Sequence, residues 1–225
     1  MLFQSEIGDV SQVASGSLRL GVVDNTISDP RCHVVPALQA LRSRSRDLEI
    51  HIDIRNPSEL ERAILDERMD IAVGPFHTTN PGIAQHDLHA ERISLYLGAG
   101  HPLFDRPSIA LQDLAGADYV MRGYLRESQR VPQHVSFNAC AVAHNIEGVA
   151  TLVLTGRYLG YLPEHYAERW VQQGRLRRLL PEAFSHDVAF KILVLRGKRR
   201  TRVVEALVEE LLSAHAASAS AGAAA

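Results

Sequence analysis

Cysteine is scarce. Cys32 and Cys140 are the two in 225 residues, which excludes a disulfide framework and suits a reducing compartment. Long apolar runs are missing too, and no stretch approaches the roughly 20 residues that cross a bilayer. Residues 1–16 hold Glu6 and Asp9 and lack a basic start followed by an apolar core, so no signal peptide is expected. Neither charge is in excess: 24 basic against 26 acidic side chains give −2. Composition therefore supplies no electrostatic case for nucleic acid or an anionic membrane. Catalytic signatures are lacking as well: there is no Gly-x-Ser-x-Gly elbow, P-loop or Cys-x-x-Cys. Gly98-Ala99-Gly100 is not a dinucleotide fingerprint, because Leu103 takes the third glycine's place and no helix is expected after it. These gaps set the expectations: cytoplasmic, no membrane contact, no catalysis, no metal and no cofactor.

What is present is an ordinary globular composition, 46% hydrophobic, in a chain long enough for one large domain or two small ones. The organising stretch is Gly16 to Thr26. Leu18, Leu20 and Val22 alternate with Arg19 and Gly21, a strand pattern. Asp24, Asn25, Thr26, Ser28 and Asp29 then form a polar loop leading to a helix expected from about Pro30. In open α/β sheets, ligands gather beyond the carboxyl ends of strands, so this loop reads as one wall of a cleft. A plain capped connection is the alternative.

The same pattern repeats along the chain. Leu48–Arg55 alternates cleanly and reads as an edge strand, and Ser58-Glu59-Leu60-Glu61 reads as a capping box opening a helix. Asp70–Gly74 and Ile93–Leu97 read as buried strands. Residues 115–118, all small or polar, read as a crossing point between two lobes. Tyr119–Met121 and Val135–Phe137 read as strands, and Asn138–His144 as a loop. Asn145 is expected to cap a helix over Ile146–Thr155. Tyr158–Leu162, Leu176–Leu180 and Val188–Leu195 complete the strands, and a helix spans about Lys198–Ala214. Residues 1–15 carry apolar residues every three to four positions and read as the tail of a helix. The tail Ala216–Ala225 is Ala/Ser/Gly-rich and reads as mobile.

Gly-Ser-Leu-Arg-Leu-Gly at 16–21 is similar to the opening of the effector-binding domain of LysR-type transcriptional regulators. The similarity continues through Pro36-Ala37-Leu38, Ser58-Glu59-Leu60, Asp70–Gly74, Gly100-His101-Pro102-Leu103, Leu111–Leu114 and Thr155–Pro163. It covers about residues 16–213. The resemblance implies an α/β fold of the type-2 periplasmic-binding-protein class, with two lobes joined by two crossover strands. It makes residues 1–15 the remnant of a linker helix, 16–116 with 191–214 the first lobe, 117–190 the second, and 215–225 a tail. The winged helix-turn-helix of the family is absent from these residues, so DNA would be reached only through that missing domain. Homodimers or higher homo-oligomers are implied, with a small-molecule effector in the cleft. The Val23–Pro36 loop looks longer than the family pattern.

Strand-end loops carry effector contacts in the family. By position these correspond to Asn25 and Thr26, Phe76 and His77, Arg122 and Tyr124, and His144 and Asn145; Asn25, Thr26 and Ser28 can add hydroxyl or amide contacts. The helix starts near Asp24–Asp29 and at Asn145 offer unpaired amides to a carboxylate. Asp24 and Asp29 would repel one and suit an amine. For each polar residue a cap or turn role is the alternative, and for the aromatic residues a place in the core. His86-x-x-His89 on a helix would present two imidazoles, yet no cysteine or paired acid completes a metal site. A solute-binding protein serving a transporter is the alternative function, and an enzyme on this fold a third.

Overall fold

The computed structural model describes residues 16–45, 47–125, 135–197 and 200–222. The helical reading of residues 1–15 lies outside them. In chain order the elements are β1 (Gly16–Val22), α1 (Val34–Arg44), β2 (Leu48–Ile54), α2 (Pro57–Leu65), β3 (Ile71–Gly74), β4 (Ile83–Gly98) and β5 (Asp118–Arg122). They continue with β6 (Asn138–Ala143), α3 (Ile146–Val153), β7 (Leu159–Pro163), α4 (Glu164–Gln172), β8 (Leu176–Arg178), α5 (Pro181–Phe184), β9 (Ser185–Leu195) and α6 (Arg202–Gly222).

The strands lie in the order β2-β1-β3-β9-β4-β7-β5-β6, with β8 beside β4. β1 pairs parallel with β2 and β3, as the strand–helix–strand alternation requires. β4 and β9 are the crossovers. They pair antiparallel from Ile83–Leu195 to Ser94–Ser185, with a bulge between Asp87 and His89. Their two ends serve different cores. Ile83, Phe190, Ile192 and Leu193 pack with Leu20, Leu60, Ile71 and Leu207. Ile93 packs with Leu97, Leu103, Leu114, Leu159 and Phe184. A third cluster, around Val120, Val149, Val153 and Leu162, lies under α3 and α4. Side chains such as Leu20 and Ile71 are fully buried, and each contributes about 1.5–3 kcal/mol. The result is two α/β lobes joined by two crossover strands.

Several local expectations change. α1 begins at Val34, not Pro30, so Pro36 falls in its first turn, where a missing N–H breaks no helical bond. The cap of α2 is Asn56, not Ser58: its side chain accepts from the Glu59 amide at 3.0 Å, and the Glu59 carboxylate accepts from the Asn56 amide at 3.3 Å. Asn138–Ala143 is a strand and not a loop, paired parallel with β5. Its small residues are mostly exposed, so it shows no apolar alternation. Residues 115–118 are not where the sheet crosses. The Gly116 amide donates to the Ser136 carbonyl, and Ala117 packs on the second cluster. The tail is helical as far as Gly222.

Gly156 closes the chain after α3 at φ +69, and a Cβ there would lie 2.2 Å from the Ala99 carbonyl oxygen. Gly174 has a similar φ of +66 with open space around it. Left-handed backbone costs a non-glycine residue roughly 1–2 kcal/mol. Gly174→Ala should lose about that much, and Gly156→Ala clearly more. Urea unfolding of both variants checks this, and equal losses would mean that the Ala99 contact relaxes without cost.

Candidate functional site

Loops from both lobes meet beside the crossover strands. From the first lobe comes the segment after β1. Asn25 takes a left-handed φ of 60, which this side chain tolerates, and opens a short 3-10 turn over Thr26–Ser28. The Thr26 hydroxyl donates to the Val23 carbonyl at 2.6 Å and is buried. From the second lobe come Arg122 at the end of β5 and Tyr124 after it, and His144 and Asn145 after β6. His165 follows β7 in the first turn of α4.

Asp24 ties the lobes together. Its Oδ2 accepts from the Ile146 amide at 2.6 Å and the Glu147 amide at 3.2 Å, at the N-terminus of α3. Helix N-termini attract anions. The protein's own carboxylate thus takes the place proposed above for a ligand's, and the Asn145 amide caps the same helix by accepting from the Gly148 amide at 2.7 Å. Burial raises the Asp24 pKa. The two amides and the nearby Arg122 charge pull it back in part. A second tie runs from the Ser58 hydroxyl to the Tyr124 carbonyl at 3.3 Å.

Arg122 is held by a bond from Nη2 to the Tyr161 carbonyl at 2.9 Å. Its Nε is buried without a hydrogen-bond partner among the described residues, as are the Tyr161 hydroxyl and His186 Nδ1. The Arg122 charge acts on Asp24, Tyr124, Tyr161 and His186, which places all four around it. Burial, then the Arg122 and Arg92 charges, push His186 down to about 4. Burial pushes the Tyr124 hydroxyl up, while Arg122 opposes it.

A second polar group lies where the β1 loop meets β4 and α4. His89 Nε2 and Asp29 Oδ2 are 2.9 Å apart, and His165 Nε2 and Glu91 Oε1 are also 2.9 Å apart. The Asn25 amide reaches Glu91 at 3.4 Å, and Ser28 lies 3.1 Å from His165 Nδ1. Asp29 and Glu91 are 3% exposed each. Burial pushes the Asp29 pKa up, but bonds from His89 and the Arg31 amide, with His165 close by, hold it well below the usual carboxylate range.

Among the expected residues, Asn25, Ser28, Arg122 and Tyr124 therefore gather at this meeting point. Phe76 does not: it is fully buried in the first core. Thr26 and Asn145 spend their polar atoms on local bonds. His77 is exposed, with its pKa lowered by partial desolvation of the ring and by the Lys191 charge. The His144 ring lies over Gly123, where a Cβ would come within 2.6 Å of it. His86 and His89 are on a strand, not a helix. Sequence reasoning missed Glu91, Tyr161, His165 and His186. A charged residue inside an extended apolar–polar strand was the available signal for Glu91.

Lower acidity should unfold the protein less readily. His186 is neutral when folded down to about pH 4, whereas an unfolded histidine protonates near pH 6.5. Between those values the unfolded state binds more protons, so stability is intact above about pH 6.5 and falls as pH drops toward 4. His186→Gln should flatten that part of a denaturation-against-pH curve. An unchanged slope would assign the acid sensitivity to other histidines.

Comparison with known proteins gives the family. The LysR substrate binding domain model matches residues 11–216. The transcriptional activator BauR of Pseudomonas aeruginosa is 35% identical over 209 residues, covering 92% of this chain and 68% of BauR. The transcriptional regulator GbpR of Rhizobium radiobacter is 27% identical over 153 residues, covering 67% of this chain and 50% of GbpR. In fold, the chain is similar to the effector binding domain of QuiR in complex with shikimate, with a TM-score of 0.74 at 16% identity, covering 90% of this chain and 98% of that one. That domain class has the type-2 periplasmic-binding-protein fold expected above, and both named relatives are regulators, which disfavours the transporter reading. With its sheet, its two lobes and its sequence all matching, the chain belongs to the LysR family, as the effector-binding domain of a LysR-type transcriptional regulator.

Proposed function

We propose that a small polar effector bearing a carboxylate binds between the lobes at Arg122, Tyr124, Tyr161 and His186, with Asn25 and Ser28 facing it from the first lobe. One observation carries this reading: the buried Arg122 Nε, Tyr161 hydroxyl and His186 Nδ1 have no hydrogen-bond partners among the described residues. Buried polar groups are normally satisfied, and these three suit the oxygens of an anion. An amine on the same ligand would offset the charge of Asp24. The shikimate seen with QuiR belongs to this chemical class only in being a small acid.

The role is sensing, not catalysis: effector binding changes how the lobes close, and a helix-turn-helix domain of the full-length regulator passes that change to DNA. The setting is the cytoplasm, and among the described residues no helix is long and apolar enough to cross a membrane. We place the lobe boundaries inside β4 near its bulge and inside β9 near Phe190. The reason is that Leu103, Ile109 and Leu114 pack with the second core, which argues against a boundary at residue 116. Homodimers would form through β2 and α1, where Val35 is 58% exposed, Ile52 51% and Ile54 68%. Such a patch suits a two-fold interface.

A thermal-shift panel of small carboxylates, amino acids and aromatic acids tests the site, since a ligand bound to the native state raises its melting temperature. With the best hit, Arg122→Ala should weaken binding by about 1.5–3 kcal/mol, roughly ten- to a hundredfold. Thr26→Ala should cost stability, about 1 kcal/mol for its internal bond, and leave affinity nearly unchanged. Arg122→Ala binding as tightly as the parent would place the effector elsewhere.

Sedimentation at micromolar concentration tests the dimer. The parent should run as a dimer and Ile54→Lys as a monomer. A monomeric parent would remove β2 as an interface.

A further inference from the structure

The group at Asp29, Glu91 and His165 is built from three separate elements. Asp29 follows the 3-10 turn after β1, Glu91 lies on crossover strand β4, and His165 is in the first turn of α4. Each offers one ligand atom, and the three atoms lie within 4.8 Å of one another. Their side chains are 0%, 4% and 8% exposed.

Counting hydrogens places a proton on His165 Nδ1. Ser28 has one hydroxyl hydrogen, and that hydroxyl lies 2.8 Å from the Asn25 carbonyl, which can only accept. The Ser28 oxygen, 3.1 Å from His165 Nδ1, therefore accepts from an N–H there. A neutral imidazole protonated at Nδ1 carries a lone pair at Nε2. That atom faces Glu91 Oε1 at 2.9 Å and Asp29 Oδ2 at 4.0 Å. A lone pair turned toward two buried carboxylate oxygens is repulsive unless a cation lies among them. Glu91 has no lysine or arginine partner among the described residues. Asp29 is meanwhile oriented from behind, by the Arg31 amide at 2.9 Å and Nε at 3.3 Å on Oδ1, and by His89 Nε2 on Oδ2.

We propose that Asp29, Glu91 and His165 bind a divalent transition-metal ion of the zinc type between the lobes. Two carboxylate oxygens and one imidazole nitrogen match zinc, whose sites with three protein ligands leave a fourth position for water or another ligand. The imidazole argues against magnesium and calcium, which prefer oxygen ligands throughout. Ser28 on His165 Nδ1 and His89 on Asp29 are the outer partners that orient such ligands. The competing possibility is a His165 imidazolium that donates from both nitrogens, and it makes a different spectrum.

The test uses untagged protein, stripped with chelator and titrated with zinc by calorimetry, then with cobalt followed by visible absorption. One equivalent of zinc should bind, and Glu91→Gln and His165→Ala should each weaken it at least tenfold. Ser28→Ala should weaken it by about ten- to a hundredfold, the range for losing an outer partner. His51→Ala, on the exposed face of β2, should leave it unchanged. Should the buried variants fail to fold, histidine-ring nitrogen NMR of the parent decides: zinc should shift His165 Nε2 and leave Nδ1 protonated. No uptake, uptake indifferent to Glu91→Gln and His165→Ala, or His165 protonated on both nitrogens with zinc present would each overturn the proposal. None of these readouts needs the effector, so its failure is separable from that of the effector site.

Discussion

The antiparallel ladder between β4 and β9 is the piece of backbone that reaches both sets of cores. Ile83 and Ile192 on one side of its bulge are packed in the first core, and Ile93 and Val188 on the other side in the second. Any rotation of one lobe against the other must therefore be absorbed within a few residues of this ladder. Its bulge between Asp87 and His89 marks where the pairing is already irregular. The polar residues that meet between the lobes, His89 and Glu91, sit immediately beyond that irregularity. Position along the crossover thus decides which side chains feel lobe movement.

Charge burial explains why the cleft is closed by its own residues. A buried carboxylate is unfavourable unless hydrogen-bonded or paired. Asp24 meets this condition only by reaching the amides of α3 in the other lobe. Ser28 makes a second link of this kind by reaching the His165 ring on α4, which also faces Glu91. The Asp24 and Ser28 bonds are local in energy but global in effect, because they exist only when the two lobes are together. The same hydrogen bonds that satisfy Asp24 therefore bias the protein toward a closed arrangement. The atoms around Arg122 that lack partners among the described residues are the contrasting case, since the two lobes together do not satisfy them.

Much of the fold was legible because its strands are half-buried or fully buried in runs. Leu18, Leu20 and Val22 announced β1, and the Ile71–Gly74 run announced β3. β4 was read only from Ile93 onward, since Gln85 to Arg92 offer mainly polar side chains to a pattern search. That reading could not reveal that its polar half was the crossover. Asn56 and Ser58 are equally good cap formers by type, and Pro57 at the first helical position was the signal separating them. Arg122 and Tyr124 were legible as strand-end residues. The meeting of Glu91 with His165 was not, because 74 residues separate them and only the tertiary fold sets their distance.

The bulge in β4 has a geometric consequence of its own. Before it, Asp87 is opposite Lys191; after it, His89 is opposite Phe190. Because side chains alternate between faces along an unbroken β9, those two partners point to opposite sides of the sheet. One extra residue, Leu88, thus breaks the alternation of β4, so that Asp87 and His89, two apart in sequence, lie on opposite faces. Removing it would restore a regular ladder and leave His89, Glu91 and Ile93 on the faces they now occupy, whereas pairing Leu88 itself with Phe190 would swing all three to the other surface. In this chain a single inserted residue acts as a parity switch: it sets which face His89, Glu91 and Ile93 share, opposite to that of Asp87.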